Sequence, residues 1–482
     1  MTKKVLLLSF LTLLLGQFGT AQHAYCGYQK ANNQLANQFP TYQKAVQQTF
    51  NEAKRIAKTA TKRNADDLLQ VQVVVHVVHN TEVQNIPDEL IHEQIAILNE
   101  DFQYLNPDRA NAREEFKAIA GNAGIEFVLA TEDPDGNPTS GITRTQTDVE
   151  TFIDLDLDLT TILEASAECG LDFTCIQEKI LVGGLEGNAE SGGVQMDDVK
   201  SSAKGGIDPW DTDRYINIWV TNLNIDFLGQ QMPAILGFAY PPVGAPNWPD
   251  EVFEADLSAI AGVVVHHEAF GKSNAGDGLI GNLAEGGRTT THEMGHYFGL
   301  RHVHGDGDCD SDDGISDTPS ADASQQAQAD PNNLPVCEDL YSIDTCPEDD
   351  MPDMVENYMD YNAITCQNLF TQEQVDIMRA MLQGPRAGLL GQMSTSTAGE
   401  IAATQGFKVY PNPTKDILNL TLEGYNITDF EVRVQNILGA TVSAKVANGN
   451  TQIDMSQLDG GVYLVNLISE NLQITKKVSV VR

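Results

Sequence analysis

The chain has 482 residues, and its 68 acidic residues against 29 basic ones give a net charge of -39 at pH 7. A chain of this length exceeds what one hydrophobic core organises, so we expect two or three domains. The negative charge excludes nucleic acid as a partner, because phosphate binding requires a basic protein face.

The first residues have the pattern of a secretory signal peptide. Lys3 and Lys4 precede an apolar run over Val5–Leu15, and small residues follow up to Ala21. The run is too short to cross a bilayer, which favours cleavage after Ala21 over a membrane anchor. No later segment has the length and apolarity of a transmembrane helix. We therefore expect residues 1–21 to be removed and the mature chain to be exported.

The next segment, residues 22–65, is polar and has helical character, for example over Tyr42–Lys58. It ends near Lys62 and Arg63, which are targets for processing proteases. We interpret it as a pro-segment. The chain has seven cysteines, so an exported protein would form disulfides and keep one thiol over, and Cys26 stands alone in this segment.

Residues 66–390 begin with alternating strand and helix patterns. The β-branched run Val71–Val78 predicts a strand, and apolar residues at helical spacing predict a helix over Pro87–Phe102. Further strands are predicted at Ile125–Ala130, Tyr215–Asn222 and Gly262–His266. This alternation predicts an α/β domain around a twisted mixed sheet.

The most specific pattern in the chain is His292-Glu293-Met294-Gly295-His296-Tyr297-Phe298-Gly299-Leu300-Arg301-His302, which reads H-E-x-x-H-x-x-G-x-x-H. His292 and His296 project from one face of a helix, one turn apart. Gly299 lets the chain leave the helix in a left-handed conformation, and the turn brings His302 to the other two. Three neutral imidazoles with one open position predict a catalytic zinc site rather than a structural one.

Glu293 lies beside the first histidine and is not itself a ligand. It can reach a metal-bound water as a general base, and such a water is acidic enough to attack an amide near neutral pH. The alternative for the short H-E-x-x-H motif is two solvated histidines on a helix. The added glycine and third histidine make that chance explanation rare.

A second motif, Glu356-Asn357-Tyr358-Met359-Asp360-Tyr361, lies downstream. Met359 would form an apolar floor beneath the three imidazoles, although a lone methionine is otherwise ordinary core. Tyr361 can direct its hydroxyl at the oxyanion of a tetrahedral intermediate. His266 and His267 follow a valine run, and we interpret them as structural or surface histidines rather than ligands.

Aspartates crowd the segment after the zinc motif. They are Asp306, Asp308, Asp310, Asp312, Asp313 and Asp317. Such a cluster predicts a hard cation such as calcium, and the alternative is a solvated acidic loop. Cysteines lie in the same region, at Cys309, Cys337, Cys346 and Cys366, and three pairings are open to them. Cys169 and Cys175 form a separate close pair.

The C-terminal part has a different pattern. Residues 391–406 are rich in small and polar residues and are typical of a linker. Residues 407–482 contain short alternating strands separated by turns, which predicts a small all-β sandwich. This part contains no cysteine or histidine, so we expect no catalysis from it.

The sequence around these motifs resembles the pappalysin, or cytophagalysin, family of metzincin zinc proteases. The residues that carry the resemblance are Lys204-Gly205-Gly206, Tyr215–Val220, Leu236–Pro241, Gly287–Thr289 and Asp313–Pro319, in addition to the zinc motif. The resemblance implies an α/β (α+β) metzincin catalytic domain with a zinc-site helix. It also implies an endopeptidase that cleaves proteins or peptides and is made as a latent pro-enzyme.

Roles for single residues also follow from the resemblance. The implied zinc ligands are His292, His296 and His302, with Glu293 as base, Met359 in the Met-turn, Tyr361 as transition-state helper, and calcium near Asp313 and Thr318. The implied disulfides are Cys309–Cys346 and Cys337–Cys366. Cys26-Gly27 resembles the family's cysteine switch, in which a thiolate fills the open metal position. The arginine expected before it is absent, and the alternative is an incidental thiol.

Two features depart from the family pattern, and a third expectation concerns the binding of substrate. Residues 145–200 are longer than expected. Relatives that prefer arginine after the scissile bond carry an aspartate two residues before the last cysteine, where this chain has Ile364. An isoleucine cannot pair with a guanidinium, so we expect an apolar preference. We expect substrate to lie extended along an edge strand, namely Gly262–His266.

The C-terminal part resembles the type IX secretion sorting domain of Bacteroidetes. The residues that carry this resemblance are Val409–Thr414, Asn436–Gly439, Gly461–Leu464 and Lys476–Val478. It implies the type IX machinery as a partner and a secreted or surface-attached mature protein. The alternative is an accessory binding sandwich.

Two other functions stay open from sequence alone. One is a non-enzymatic surface adhesin on a metzincin scaffold, and the other is a metallo-hydrolase of small substrates. The intact Glu293 and Tyr361 argue against the adhesin, because a binding protein has no use for a general base.

Overall fold

The computed structural model describes residues 26–59, 68–153, 195–227, 230–233, 235–242, 257–272, 286–323, 336–349, 351–361, 364–390, 407–422, 430–436, 441–447, 449, 451–458, 460–469 and 472–481. The chain divides into two compact units, one of residues 1–63 and 69–392 and the other of residues 64–68 and 393–482. The expected signal peptide, the linker, the Cys169/Cys175 pair and most of the 145–200 segment lie outside the described residues. None of the helices within the described ranges is long and apolar enough to traverse a bilayer.

Two helices precede the sheet, α1 (Tyr28–Gln38) and α2 (Tyr42–Thr59). The second one matches the helical pattern of the expected pro-segment. Both pack on the catalytic unit: α1 contributes Ala31 and Leu35 to a core on one face of the sheet, and α2 contributes Phe50 to the core on the other face.

The sheet is built around β1 (Leu69–His79), a long strand that is buried over most of its length. Its parallel neighbours are β2 (Ile125–Leu129), β3 (Ile142–Gln146) and β4 (Ile216–Thr221). The sheet continues through β8 (Val263–His266), parallel to β4, and ends at β7 (Gly237–Ala239), antiparallel to β8. A separate hairpin joins β5 (Asn224–Phe227) to β6 (Gln230–Pro233). The predicted mixed sheet is confirmed.

The prediction that Gly262–His266 forms the edge strand is wrong. Val263–His266 pairs on both sides, with β4 and with β7, so β7 is the outermost strand at this end of the sheet. The three-residue β7 begins with glycine and has little strand signal of its own, because glycine disfavours strands.

Three helices pack on the core of the sheet, namely α3 (Asp88–Phe102), α5 (Arg288–Tyr297) and α7 (Gln372–Gln383). Two one-turn helices, α4 (Glu114–Lys117) and α6 (Cys337–Leu340), pack in separate small apolar clusters. Alternate strand residues enter two cores, because neighbouring side chains point to opposite faces of a sheet. On β8, Val263 and Val265 pack into the core that contains Met294 of α5, whereas Val264 packs into the core that contains α1.

The second unit contains only strands among its described elements. A three-stranded sheet holds β9 (Phe407–Tyr410), β10 (Ile417–Leu422) and β13 (Thr451–Asp454). A four-stranded sheet holds β11 (Phe430–Asn436), β12 (Thr441–Ala447), β14 (Gly461–Ser469) and β15 (Leu472–Val480). Both sheets are antiparallel, and one apolar cluster takes residues from both, including Leu418, Val432 and Val465. The predicted small all-β unit is confirmed.

Candidate active site

Helix α5 ends in a turn that sets the position of the third histidine. Gly299 has φ 88°, and its N–H donates to the carbonyl of His296 at 2.8 Å. The N–H of Leu300 donates to the carbonyl of Gly295 at 3.0 Å. These two bonds form a Schellman cap, which satisfies the last helix carbonyls and reverses the chain. His302 therefore returns to the face of α5 that carries the other two histidines.

We expect Gly299→Ala to destabilise the protein and to lower its metal content. A Cβ at this position would lie 2.5 Å from Cε of Met381, and the left-handed backbone adds strain. Together these effects should cost about 2–5 kcal/mol. Gly136→Ala is the matched control, because Gly136 has φ 82° but no atom within 4 Å of the added Cβ. The measurements are the melting temperature and the metal content of each variant. Equal losses in Gly299→Ala and Gly136→Ala would contradict this explanation.

The three imidazoles converge on one point. The Nε2 atoms lie 3.2 Å (His292–His302), 3.1 Å (His292–His296) and 3.0 Å (His296–His302) apart. Each ring donates from its Nδ1 to an acceptor: His292 to the carbonyl of Tyr358, His296 to the carbonyl of Leu300, and His302 to the carboxylate of Asp306. The three Nε2 atoms are therefore unprotonated, with their lone pairs facing one another.

This donor set fits zinc. Three facing lone pairs repel one another in the absence of a cation, and a tetrahedral zinc with Zn–N bonds of about 2.0–2.1 Å needs N···N separations of about 3.3–3.4 Å. Burial lowers the pKa of His292 to about 4, and burial together with the neighbouring imidazoles lowers the pKa of His296 and of His302 well below 6.5. All three rings are thus neutral over the physiological pH range.

Glu293 lies buried next to the ligand cluster. Burial raises the pKa of its carboxyl to about 8, and Oε2 has no hydrogen-bond partner among the described residues. The edge strand approaches closely, since a Cβ on Gly237 would lie 2.8 Å from Cγ of Glu293. An acidic group with an unused oxygen therefore lies between the imidazoles and the edge of the sheet.

Met359 and Tyr361 both lie beside the histidine cluster. Met359 is fully buried, and a Cβ on Gly295 would lie 2.4 Å from its Sδ, so the thioether lies directly under α5. The ring of Tyr361 lies 4.3 Å from that of His302, measured between centroids. The segment that carries both residues therefore supports the histidine cluster from below and from one side.

The segment before α1 enters the same site. Sγ of Cys26 lies 3.5 Å from Nε2 of His296, and the sulfur joins the three histidines in one group of potential ligands. The N–H of Gly27 donates to the carbonyl of Gly237 at 2.8 Å, so this segment lies along the edge strand. The ring of Tyr28 stacks on His296 at 3.8 Å between centroids. Cys26, Gly27 and Tyr28 therefore cover the histidine cluster on the side of the edge strand.

A buried aspartate outside the motif joins three elements of the site. Asp101, in α3, accepts hydrogen bonds from the Tyr358 hydroxyl at 2.7 Å and from the Thr291 hydroxyl at 2.8 Å. Arg288 pairs with the same carboxylate at 3.3 Å. Because the Tyr358 carbonyl also holds His292, Asp101 links the start of α5 to the segment of Met359. Sequence reasoning missed this residue, since nothing local marks it.

The acidic loop contains carboxylates in different environments. Asp313 is buried and accepts hydrogen bonds from the N–H of Ile315 at 2.8 Å and from the hydroxyl of Thr318 at 3.0 Å. Burial raises the pKa of Asp313 well above its usual value. Asp317 instead accepts from the N–H of Glu373 at 2.9 Å, at the start of α7. Asp313 and Thr318 therefore contact each other through a direct hydrogen bond.

Two disulfides brace the region between the histidines and the Met359 segment. Cys309 is bonded to Cys346, and Cys337 to Cys366. This is the crossed pairing that the family resemblance implies. Cys366 lies five residues beyond Tyr361, so the second bond anchors the segment that forms the floor of the site.

His266 and His267 form a second group of potential ligands together with Glu268. The N–H of Leu223 donates to Nδ1 of His266 at 3.0 Å, which places the proton of the neutral ring on Nε2. That nitrogen faces the carboxylate of Glu268 at 3.4 Å. A protonated Nε2 cannot bind a metal, so the geometry favours the structural role predicted for His266.

Comparison with known proteins identifies the family. A mutant of Tannerella forsythia promirolysin, of known structure, is 32% identical with a TM-score of 0.54, and the match covers 76% of this chain and 97% of that one. Tannerella forsythia mature mirolysin in complex with a cleaved peptide is 35% identical with a TM-score of 0.49, over 68% and 97%. Residues 201–383 match the family model described as pregnancy-associated plasma protein-A. The chain belongs to the pappalysin family.

Curated relatives of this pappalysin-family protein are extracellular enzymes. An extracellular metalloprotease of Arthroderma gypseum is 23% identical over 343 residues, which is 70% of this chain and 81% of the relative. One from Arthroderma benhamiae is 31% identical over 170 residues, 35% and 49% of the two chains. The protein is a metalloendopeptidase whose substrates are proteins or peptides.

The C-terminal unit has its own match. Residues 408–481 match the model described as secretion system C-terminal sorting domain. This pappalysin-family protein therefore carries a type IX export signal and is secreted or attached to the cell surface.

Proposed function

We propose that this protein is a zinc endopeptidase in which His292, His296 and His302 hold the metal. The observation that carries the proposal is the convergence of three unprotonated Nε2 atoms within 3.2 Å of one another. Bound zinc would acidify a water and polarise the scissile carbonyl. The test is metal analysis of purified protein: one zinc per chain is expected, lost in His296→Ala and retained in the exposed control His92→Ala.

Glu293 and Tyr361 would carry out the proton transfer and the charge stabilisation. The unpaired oxygen of Glu293 takes a proton from the attacking water and delivers it to the leaving amine. The Tyr361 hydroxyl donates a hydrogen bond to the developing oxyanion. Met359 keeps the floor of the site apolar and fixed.

Substrate would bind along the edge strand β7. Gly237 already forms an isolated parallel bridge with Cys26, and its carbonyl accepts the N–H of Gly27 at 2.8 Å, so main-chain groups from outside the sheet reach this edge. Strand addition of this kind supplies main-chain hydrogen bonds, and side-chain pockets supply selectivity.

The protein would be made as a latent precursor. Residues 22–65 would form the pro-segment, with Cys26 at the open metal position and Tyr28 over His296. The 32% identity to promirolysin supports this proposal, because that relative is itself named as a pro-form. Helix α2 adds contacts outside the site, including Arg301 over the ring of Phe50 at 4.5 Å. Cleavage near Lys62 and Arg63 would release the segment.

We further propose calcium at Asp313 and Thr318. Two oxygen-bearing side chains in contact, in a loop rich in carboxylates, offer the ligands that calcium prefers. The remaining proposed boundaries are a signal peptide at 1–21, a catalytic domain at 66–390, a linker at 391–406 and a sorting domain at 407–482.

Ile364→Asp should shift the cleavage preference toward arginine after the scissile bond. Ile364 is half-buried in a short turn just before Cys366, and a carboxylate there could pair with a guanidinium. A charge-assisted bond of about 1.5–3 kcal/mol would change the ratio of kcat/KM values by roughly ten- to a hundredfold. Ile364→Asn is the matched control, since it is polar but uncharged. Peptide-library profiling with an unshifted preference in the Asp variant would contradict the assignment of this pocket.

A further inference from the structure

The three zinc-site imidazoles are not held alike. His292 and His296 donate from Nδ1 to main-chain carbonyls, at 2.6 Å and 2.9 Å. His302 donates to a carboxylate oxygen of Asp306, at 2.5 Å. A carboxylate acceptor is charged and polarises the ring more strongly than a carbonyl does. One of the three candidate ligands therefore has a charged partner.

Asp306 is held in place by a tight turn. Gly305 and Asp306 both have positive φ, at 58° and 61°. The N–H of Gly305 donates to the carbonyl of His302 at 2.9 Å, and the N–H of Asp306 donates to Nδ1 of His304 at 3.0 Å. The Asp306 side chain is 23% exposed, so water screens its charge only in part.

The positive φ of Asp306 strains aspartate and asparagine less than other side chains, and glycine adopts it more readily still. The turn itself therefore does not require aspartate. The feature that aspartate adds is the carboxylate on His302. Strain of this kind persists where the surrounding structure and function maintain it.

We propose that Asp306 is a positioning residue that sets the zinc affinity of the site through His302. Its carboxylate fixes the ring orientation and the tautomer, and its negative charge makes Nε2 of His302 a stronger donor to a cation. The inference rests on the proposed zinc site and adds to it a residue that lies outside the H-E-x-x-H-x-x-G-x-x-H motif. Loss of such an outer partner typically weakens metal binding by about 10–100-fold.

The test is zinc affinity of the full chain, measured by competition with a chromophoric chelator. Asp306→Asn keeps the shape, can still accept the hydrogen bond and tolerates positive φ, so it removes only the charge. We expect zinc to bind about 10–100-fold more weakly. Asp310→Asn, an exposed acidic residue of the same loop, is the control and should leave the affinity within about twofold.

A second variant separates positioning from loop stability. Asp306→Gly relieves the backbone strain and removes the carboxylate, so it should weaken zinc at least as much as Asp306→Asn without lowering the melting temperature of the metal-free chain. Unchanged zinc affinity in both variants would overturn the inference, as would an equal loss in Asp310→Asn. If the unmodified chain binds no zinc, the proposed function fails together with the inference. If every variant binds zinc as tightly as the unmodified chain, the inference about Asp306 fails and the proposed zinc site stands.

Discussion

Glu293→Gln should abolish most of the proteolytic activity while leaving zinc bound. The substitution keeps the size of the side chain and removes its ability to accept a proton from water. General acid–base catalysis contributes about 10²–10⁴-fold, so kcat/KM for a protein substrate should fall by that factor. The measurement is hydrolysis of a quenched fluorescent peptide by the processed enzyme, together with metal analysis of the same preparation.

The control for this substitution is Glu89→Gln, which changes an exposed glutamate of α3 in the same way. It should leave both activity and zinc content unchanged. An active Glu293→Gln enzyme would show that another group transfers the proton. Loss of zinc in Glu293→Gln would show that the carboxylate supports the metal site instead of catalysis.

Cys26→Ala should convert the latent precursor into a partly active enzyme. Burial, followed by the nearby Glu293 carboxylate, raises the pKa of the Cys26 thiol in the metal-free site. A bound zinc ion reverses that preference, because a thiol that coordinates a cation loses its proton. Removing the sulfur frees the fourth position, and the precursor should become at least about tenfold more active, a factor that corresponds to about 1.4 kcal/mol of lost binding.

Activation in Cys26→Ala should be incomplete, because two other contacts stay in place. Gly27 still pairs with the edge strand, and Tyr28 still stacks on His296. Adding Tyr28→Ala should raise the activity further. Asn33→Ala, an exposed position of α1, should remain latent. A Cys26→Ala precursor as latent as the unmodified one would rule out the thiol as the latency group.

The histidine cluster could be predicted from sequence because its geometry is local. Helical periodicity aligns His292 with His296, and a single glycine in a Schellman cap returns His302 to them. These features need only the eleven residues of the motif. The same holds for the helix Asp88–Phe102 and for the long buried strand, whose patterns lie within single elements.

The parts that could not be predicted depend on contacts between distant segments. Which strand pairs with Gly237–Ala239 is decided by the whole sheet, so the wrong strand was assigned to the edge. Asp101 reaches Tyr358 across 257 residues of sequence. The crowded aspartates predict a cation-binding loop after the motif. They do not reveal that Asp306 accepts a hydrogen bond from His302, or that Asp317 accepts one from the N–H of Glu373 at the start of α7.

The most direct test of the account is digestion of casein by the processed enzyme before and after treatment with a zinc chelator. We expect cleavage within the casein chain, complete loss of cleavage with the chelator, and recovery when one equivalent of zinc is returned. Cleavage that persists without zinc would contradict it. So would a zinc-loaded, processed enzyme that cleaves neither casein nor any member of a peptide library.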